Sequence, residues 1–119
     1  MSSTLKSGEA LATEENLTSS NGRFQLIFQN DGNLVLADLE AGGVVVWNSA
    51  SADRGATEAR MQEDGNFILF DPSGEAQWAT GTDGNDGACV SVTDDGNVVI
   101  TRDGDGTLWE TGPHGTATN

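Results

Sequence analysis

The chain has 119 residues but only one cysteine, one histidine and five basic residues. Each shortage excludes something. Cys89 stands alone, so no internal disulfide can form. A Cys–His nucleophile pair would need His114 to fold back onto Cys89, and nothing in the sequence favours that. Cys89 lies in an apolar strand pattern and is expected in the core. Five Lys and Arg against nineteen Asp and Glu give a net charge of −14. So acidic a surface repels phosphate, which excludes nucleic acid and anionic membranes as partners. No segment approaches the roughly 20 apolar residues of a membrane span, so no membrane insertion is expected. The opening stretch Met1 to Lys6 lacks the apolar core of a signal peptide. Together with the single thiol, this favours a cytoplasmic over a secreted location. Asn16-Leu17-Thr18 is a glycosylation sequon, relevant only on a secretory route.

Strong helix-forming runs are missing as well. Glycine, by contrast, supplies 16 of the 119 residues, close to twice its usual share. That composition points to many short strands joined by tight turns. The length allows one domain, spanning residues 1–119.

The chain repeats itself three times. Gln29-Asn30-Asp31-Gly32-Asn33-Leu34-Val35-Leu36-Ala37 aligns with Gln62-Glu63-Asp64-Gly65-Asn66-Phe67-Ile68-Leu69-Phe70. Both align with Thr93-Asp94-Asp95-Gly96-Asn97-Val98-Val99-Ile100-Thr101. Asn33 to Asn66 is 33 residues and Asn66 to Asn97 is 31. Trp47, Trp78 and Trp109 follow at intervals of 31. The repeats centre near 24–49, 57–80 and 88–111. Each reads as strand, Asp-Gly turn, strand and tryptophan-bearing strand. The first has Phe24 to Gln29, Leu34 to Ala37 and Val44 to Asn48. The second has Met61-Gln62, Asn66 to Phe70 and Gln77 to Thr80. The third has Cys89 to Thr93, Asn97 to Thr101 and Thr107 to Thr111. Residues 5–18 can supply further short strands, for roughly twelve in all. One such unit cannot bury its apolar face alone, so a closed arrangement is expected. Propeller blades of the WD type need about 40–45 residues, and β-trefoil repeats are also longer. A period this short suits three compact sheets packed as a triangular prism, with the tryptophans meeting on its axis.

Side chains alternate after each turn. Leu34 and Leu36, like Phe67 and Leu69, should face inward. Asn33, Val35 and Ala37, like Asn66, Ile68 and Phe70, should face outward. The outer face then carries an amide, a carboxylate, a second amide and an aliphatic group. Amides and a carboxylate can match vicinal sugar hydroxyls, which both donate and accept, and an aliphatic group can cover the ring. Spacing alone leaves open that the motifs are turns and nothing more, because Asp-Gly and Gly-Asn are favoured turn pairs. A turn does not, however, require Gln29 and Gln62 in register.

Gln-x-Asp-x-Asn-x-Val-x-Tyr is the sugar-binding motif of the bulb-type mannose lectins of monocot plants. The chain resembles that family over nearly its whole length, from Leu5-Lys6-Ser7-Gly8-Glu9-Ala10-Leu11 to Trp109-Glu110-Thr111-Gly112. The resemblance implies an all-β fold, the β-prism II, with three four-stranded antiparallel sheets in pseudo-threefold symmetry. It implies sugar binding without metal, cofactor or catalysis. In the family, Asp and Asn hold the 2-hydroxyl of mannose, Gln the 3-hydroxyl and Tyr the 4-hydroxyl, while Val packs on the ring. Carried over, the first site is Gln29, Asp31, Asn33 and Val35, with Ala37 in place of Tyr. The second is Gln62, Asp64, Asn66 and Ile68, with Phe70 in place of Tyr. The third keeps Asp95, Asn97 and Val99 but has Thr93 for Gln and Thr101 for Tyr.

No site is complete, since the chain contains no tyrosine. A lost neutral hydrogen bond costs about 0.5–1.5 kcal/mol, up to roughly tenfold in affinity. Phe70 keeps a ring contact, so the second site is expected to lead and the first to follow. Thr93 is too short to replace Gln, so the third site is expected to be degenerate. Several weak sites on one body can raise avidity by roughly 10²–10⁴. The family often forms dimers by exchanging C-terminal strands, and a homodimer is one expectation. Pro113 removes a ladder donor there and points instead to a monomer. The family's internal disulfide is missing, with Gly32 standing where one of its cysteines would be.

The expected partners are mannose-containing glycans or glycoproteins. Asp83 to Gly87 and Asp103 to Gly106 are acidic turns that do not fit an EF-hand loop, and they read as solvated. Asp31, Asp64 and Asp95 fall one per repeat, too far apart for paired-carboxylate hydrolysis. The alternative is a β-prism interaction protein that has lost sugar binding and contacts a protein partner. The missing tyrosines favour it, whereas Gln29, Gln62 and their Asp-x-Asn pairs favour the lectin.

Overall fold

The computed structural model describes residues 3–102 and 106–113. His114 and the Asp103 to Asp105 part of the second acidic turn lie outside the described residues. Twelve strands are present among the described residues. The first repeat forms β4 (Phe24–Phe28), β5 (Leu34–Asp38) and β6 (Val44–Asn48). The second forms β7 (Glu58–Met61), β8 (Phe67–Phe70) and β9 (Ala76–Ala79). The third forms β10 (Cys89–Val92), β11 (Val98–Arg102) and β12 (Gly106–Glu110). Ahead of them come β1 (Thr4–Leu5), β2 (Ala10–Ala12) and β3 (Asn16–Thr18).

The three N-terminal strands go to three different sheets. The strand orders are β1-β10-β11-β12, β2-β7-β8-β9 and β3-β4-β5-β6, with every pairing antiparallel. This is the three-sheet prism that the repeats predicted. The N-terminal segment laces it together, placing one buried leucine in each sheet: Leu5, Leu11 and Leu17, six residues apart. These leucines share one core with Phe24, Phe28, Phe67, Met61 and Ile100, all essentially inaccessible to solvent.

The opposite sheet edges carry the tryptophans. Trp47, Trp78 and Trp109 meet pairwise, each pair with ring centroids 5.9 Å apart and in edge-to-face geometry. Each tryptophan is paired across the ladder with an inward residue, Leu36, Leu69 or Ile100, and a register shift follows directly in every sheet. A bulge of this kind re-aims the side chains beside it. The sequence does not announce it.

Two local features also went unpredicted. Strand β7 begins at Glu58, ahead of the expected Met61. After β5 the chain makes a 3-10 turn, Leu39–Ala41, capped by the Asp38 carboxylate, which accepts from the Glu40 backbone N–H. Asp38 is buried and receives Arg23 Nη2 at 2.9 Å and Nε at 3.1 Å. These hydrogen bonds from Arg23 outweigh burial and hold the Asp38 carboxyl below its ordinary value of 3.8. A depressed carboxyl stabilises the fold fully above its unfolded value, and that contribution is lost as the pH falls through the lower folded value. Thermal melts at about pH 5 and about pH 3 should therefore show a smaller acid-induced drop in Tm for Asp38→Asn than for the parent chain. An equal drop in both proteins would remove Asp38 from the account.

Candidate functional site

The three motifs form the same turn, one in each sheet. Gln29 N–H donates to the Asn33 carbonyl at 2.8 Å, Gln62 N–H to that of Asn66 at 2.9 Å, and Thr93 N–H to that of Asn97 at 2.8 Å. Gly32 and Gly65 sit at φ 86° and 95°, the left-handed region that glycine adopts without strain. A Cβ on Gly65 would stand 2.3 Å from the carbonyl oxygen of Asn85, so that position has no room for a side chain.

The motif carboxylates take part in the turns. Asp31 Oδ1 accepts the Asn33 backbone N–H at 2.9 Å, and Asp64 Oδ1 accepts that of Asn66 at 3.0 Å. The second oxygen of each makes no hydrogen bond to the described residues. Turn chemistry and an available acceptor therefore coexist on the same side chain.

The motif asparagines are oriented by the loop that follows each tryptophan-bearing strand. Asn33 Oδ1 accepts from Ser49 Oγ and Ser51 N, each at 3.2 Å. Asn66 Oδ1 accepts from Gly81 N at 2.9 Å, Thr82 N at 3.2 Å and Thr80 Oγ1 at 3.3 Å. Donors on this side fix which amide atom is the oxygen. In the first two repeats Nδ2 is left to donate outward, with no partner among the described residues. Each of these two turns thus presents an amide donor and a carboxylate acceptor, a set that fits one hydroxyl acting both ways. The anchoring hydroxyls recur two residues after each tryptophan, at Ser49, Thr80 and Thr111, a recurrence visible in the sequence without its role.

The third repeat is closed from within. Asn97 Oδ1 is anchored like the others, by Gly112 N at 2.9 Å and Thr111 Oγ1 at 3.2 Å. Its Nδ2, however, donates to Glu110 Oε1 at 2.7 Å. Asp95 Oδ1 accepts a hydrogen bond from the Thr93 hydroxyl. Glu110 stands opposite Val99 in the ladder, where the first repeat has Asn48 opposite Val35 and the second has Ala79 opposite Ile68. Glu110 therefore takes the amide donor that the other two motifs leave outward, and Thr93 takes one Asp95 oxygen while the other makes no hydrogen bond to the described residues.

Two expectations need correction. Val35, Ala37 and Ile68 lie outside the central core cluster, as outward residues should, yet all are buried. They sit on middle strands with neighbours on both sides: Ile27 and Asn48 flank Val35, while Arg60 and Ala79 flank Ile68. The apolar floor they offer is small. Phe70 and Val99 are more open. Cys89 is not a core residue. It is half-buried on the outer side of β10, opposite Thr101, with Sγ 3.8 Å from the Thr101 hydroxyl.

Among the described residues no three His, Cys, Asp or Glu side chains gather in a way that could hold a metal. Nor is any helix among the described residues long and apolar enough to cross a membrane.

No family profile matches the chain, but individual proteins do. It is 31% identical over 101 residues to the B-type lectin plumieribetin of Scorpaena plumieri, covering 83% of this chain and 86% of that one. Other curated relatives are longer, and the chain spans 14%, 46% and 59% of them. Among solved structures, it superposes with TM-score 0.83 on monomeric monocot mannose-binding lectins of Gastrodia elata. The identity there is 32%, over 93% of this chain and 97% of that one. It superposes with TM-score 0.76 on the mannose-specific agglutinin of snowdrop, Galanthus nivalis, solved with methyl-α-D-mannoside. The identity is 34%, over 94% of this chain and 97% of that one.

Proposed function

The chain belongs to the bulb-type mannose-binding lectin family, and on that premise we propose that it binds mannose-terminated glycans without metal, through its first two motifs. It is a binding protein rather than an enzyme. The observation that carries the proposal is the pairing, in both motifs, of an outward Asn Nδ2 donor with an unengaged Asp oxygen, next to Gln29 or Gln62. A hydroxyl seated between donor and acceptor satisfies both at once. Asp31, Asn33, Gln29 and Val35 form the first site. Gln62, Asp64, Asn66, Ile68 and Phe70 form the second. Asp95, Asn97 and Val99 contribute no third site while Glu110 holds the Asn97 amide donor and Thr93 stands in place of Gln. Two sites on one rigid body favour branched mannose-containing glycans or glycoproteins over single sugars. A homodimer would add further sites, but two per chain already supply multivalency.

The second reading is a prism that has lost sugar binding and docks on a protein. Exposed apolar side chains favour it: Leu39, Val44 and Val45 are 42%, 52% and 48% accessible. A glycan array probed with the purified chain in EDTA separates the two. Retention of mannose-terminated glycans supports the lectin. Silence across the array at high protein concentration would turn attention to these side chains.

A further inference from the structure

Residues outside the motif line a depression beside the second site. It measures about 500 Å³ and is lined by Gly8, Arg60, Gln62, Glu63 and Asp64. Gln62 and Asp64 belong to the motif, and the remaining three do not. Its size falls within the roughly 300–1,000 Å³ of small-ligand clefts.

The lining outside the motif is held in place. Arg60 lies on β7, opposite Ile68 of β8 and Ala10 of β2. Its Nη2 is bound by the Glu58 carboxylate, and its Nη1 donates to the Gly8 carbonyl at 3.4 Å. A guanidinium has five N–H donors, so most of them stay available. Gly8 is itself fixed, donating its N–H to the Met61 carbonyl at 2.7 Å. The Glu63 carboxylate makes no hydrogen bond to the described residues. The depression therefore combines unspent donors with unspent acceptors.

The other repeats lack the arginine. Two residues before the motif Gln or Thr stand Ile27, Arg60 and Ser91, and one residue after it stand Asn30, Glu63 and Asp94. Ile27 offers no hydrogen bond from its side chain. Ser91 bonds Thr4 at 2.9 Å, and the Asp94 carboxylate is clasped by Ser20 Oγ and Asn21 N, each at 3.0 Å. Charge narrows the ligand. Glu58, Glu63 and Asp64 outnumber Arg60, which disfavours an anion and leaves a neutral polyhydroxyl group.

We infer that this depression is a second subsite, joined to the motif through Gln62 and Asp64, which takes a neutral saccharide unit linked to the mannose in the second site. The inference rests on the sugar-binding reading above. The test is titration calorimetry of the full chain in an Asp31→Ala background, where only the second site reports. The ligands are methyl α-mannoside and a panel of α-linked mannobioses covering each ring hydroxyl. At least one mannobiose should bind about tenfold more tightly than the monosaccharide, the worth of one good hydrogen bond. Arg60→Ala should bring that ratio close to one, and Arg60→Lys should recover part of it. Melting curves check that each variant is folded. A ratio near one in the Asp31→Ala protein, or a ratio that Arg60→Ala and Glu63→Ala leave intact, overturns the subsite. Failure to bind any of these sugars overturns the lectin reading itself, and the subsite with it.

Discussion

The double substitution Asp31→Ala/Asp64→Ala should remove measurable monosaccharide binding while the prism stays folded. In each motif the carboxylate has one oxygen committed to the turn and one unengaged. A hydrogen bond from a sugar hydroxyl to that charged oxygen is worth about 1.5–3 kcal/mol, or roughly ten- to a hundredfold in affinity. If each site starts near millimolar strength, about −4 kcal/mol, nothing detectable remains. The fold pays less. The double variant loses one backbone-to-carboxylate hydrogen bond in each of two exposed turns, where water takes over the freed N–H and holds the cost to about 1.5 kcal/mol per turn, the low end for a charged acceptor. The core and the tryptophan contacts are untouched. Titration and thermal melts on the same samples check both halves. Affinity within twofold of the parent would show that the motif carboxylates do not touch the sugar.

Trp78→Ala should cost more stability than removing either of the other axial rings. Trp47 and Trp109 each make two edge-to-face contacts, whereas Trp78 makes three, adding Phe67 at 6.4 Å and 87°. Each such pair is worth about 0.5–1.5 kcal/mol beyond its buried area. Truncation also leaves Phe67, which is fully buried, facing a void. The expected loss is about 3–5 kcal/mol, a large part of the 5–15 kcal/mol that typically separates folded from unfolded domains. Denaturant titrations of Trp47→Ala, Trp78→Ala and Trp109→Ala give the ranking. A loss near 1 kcal/mol for Trp78→Ala would mean the rings are not the keystone of the axis.

The prism was legible because three Asp-Gly-Asn turns and three tryptophans share one period. That period fixes how many sheets there are and which residues face the core. Leu34, Leu36, Phe67 and Leu69 are buried as the alternation required. The lacing by Leu5, Leu11 and Leu17 was not legible, because strands of two or three residues carry too little pattern to name their partners. The sheet bulges were hidden for the same reason. They are set by how each tryptophan strand docks, and no local residue marks them.

The candidate site divides the same way. The Gln, Asp and Asn positions could be read from their register across the repeats together with the family motif. The direction of each asparagine amide could not, because it depends on donors some 15 residues further along the chain. The closure of the third motif likewise needed the ladder register, which sets Glu110 beside Asn97 and opposite Val99. Thr93 was identified as a defect for its length. Its hydroxyl takes the Asp95 oxygen that, in the other two motifs, accepts the Asn backbone N–H.

The most direct measurement of the central claim follows the side-chain amide signals of Asn33, Asn66 and Asn97 by nuclear magnetic resonance. Methyl α-mannoside is titrated in with EDTA present. The account requires the Asn33 and Asn66 amides to shift with saturation and the Asn97 amide, held by Glu110, to stay still. Shifts at Asn97 alone, or at none of the three at saturating sugar, would contradict it.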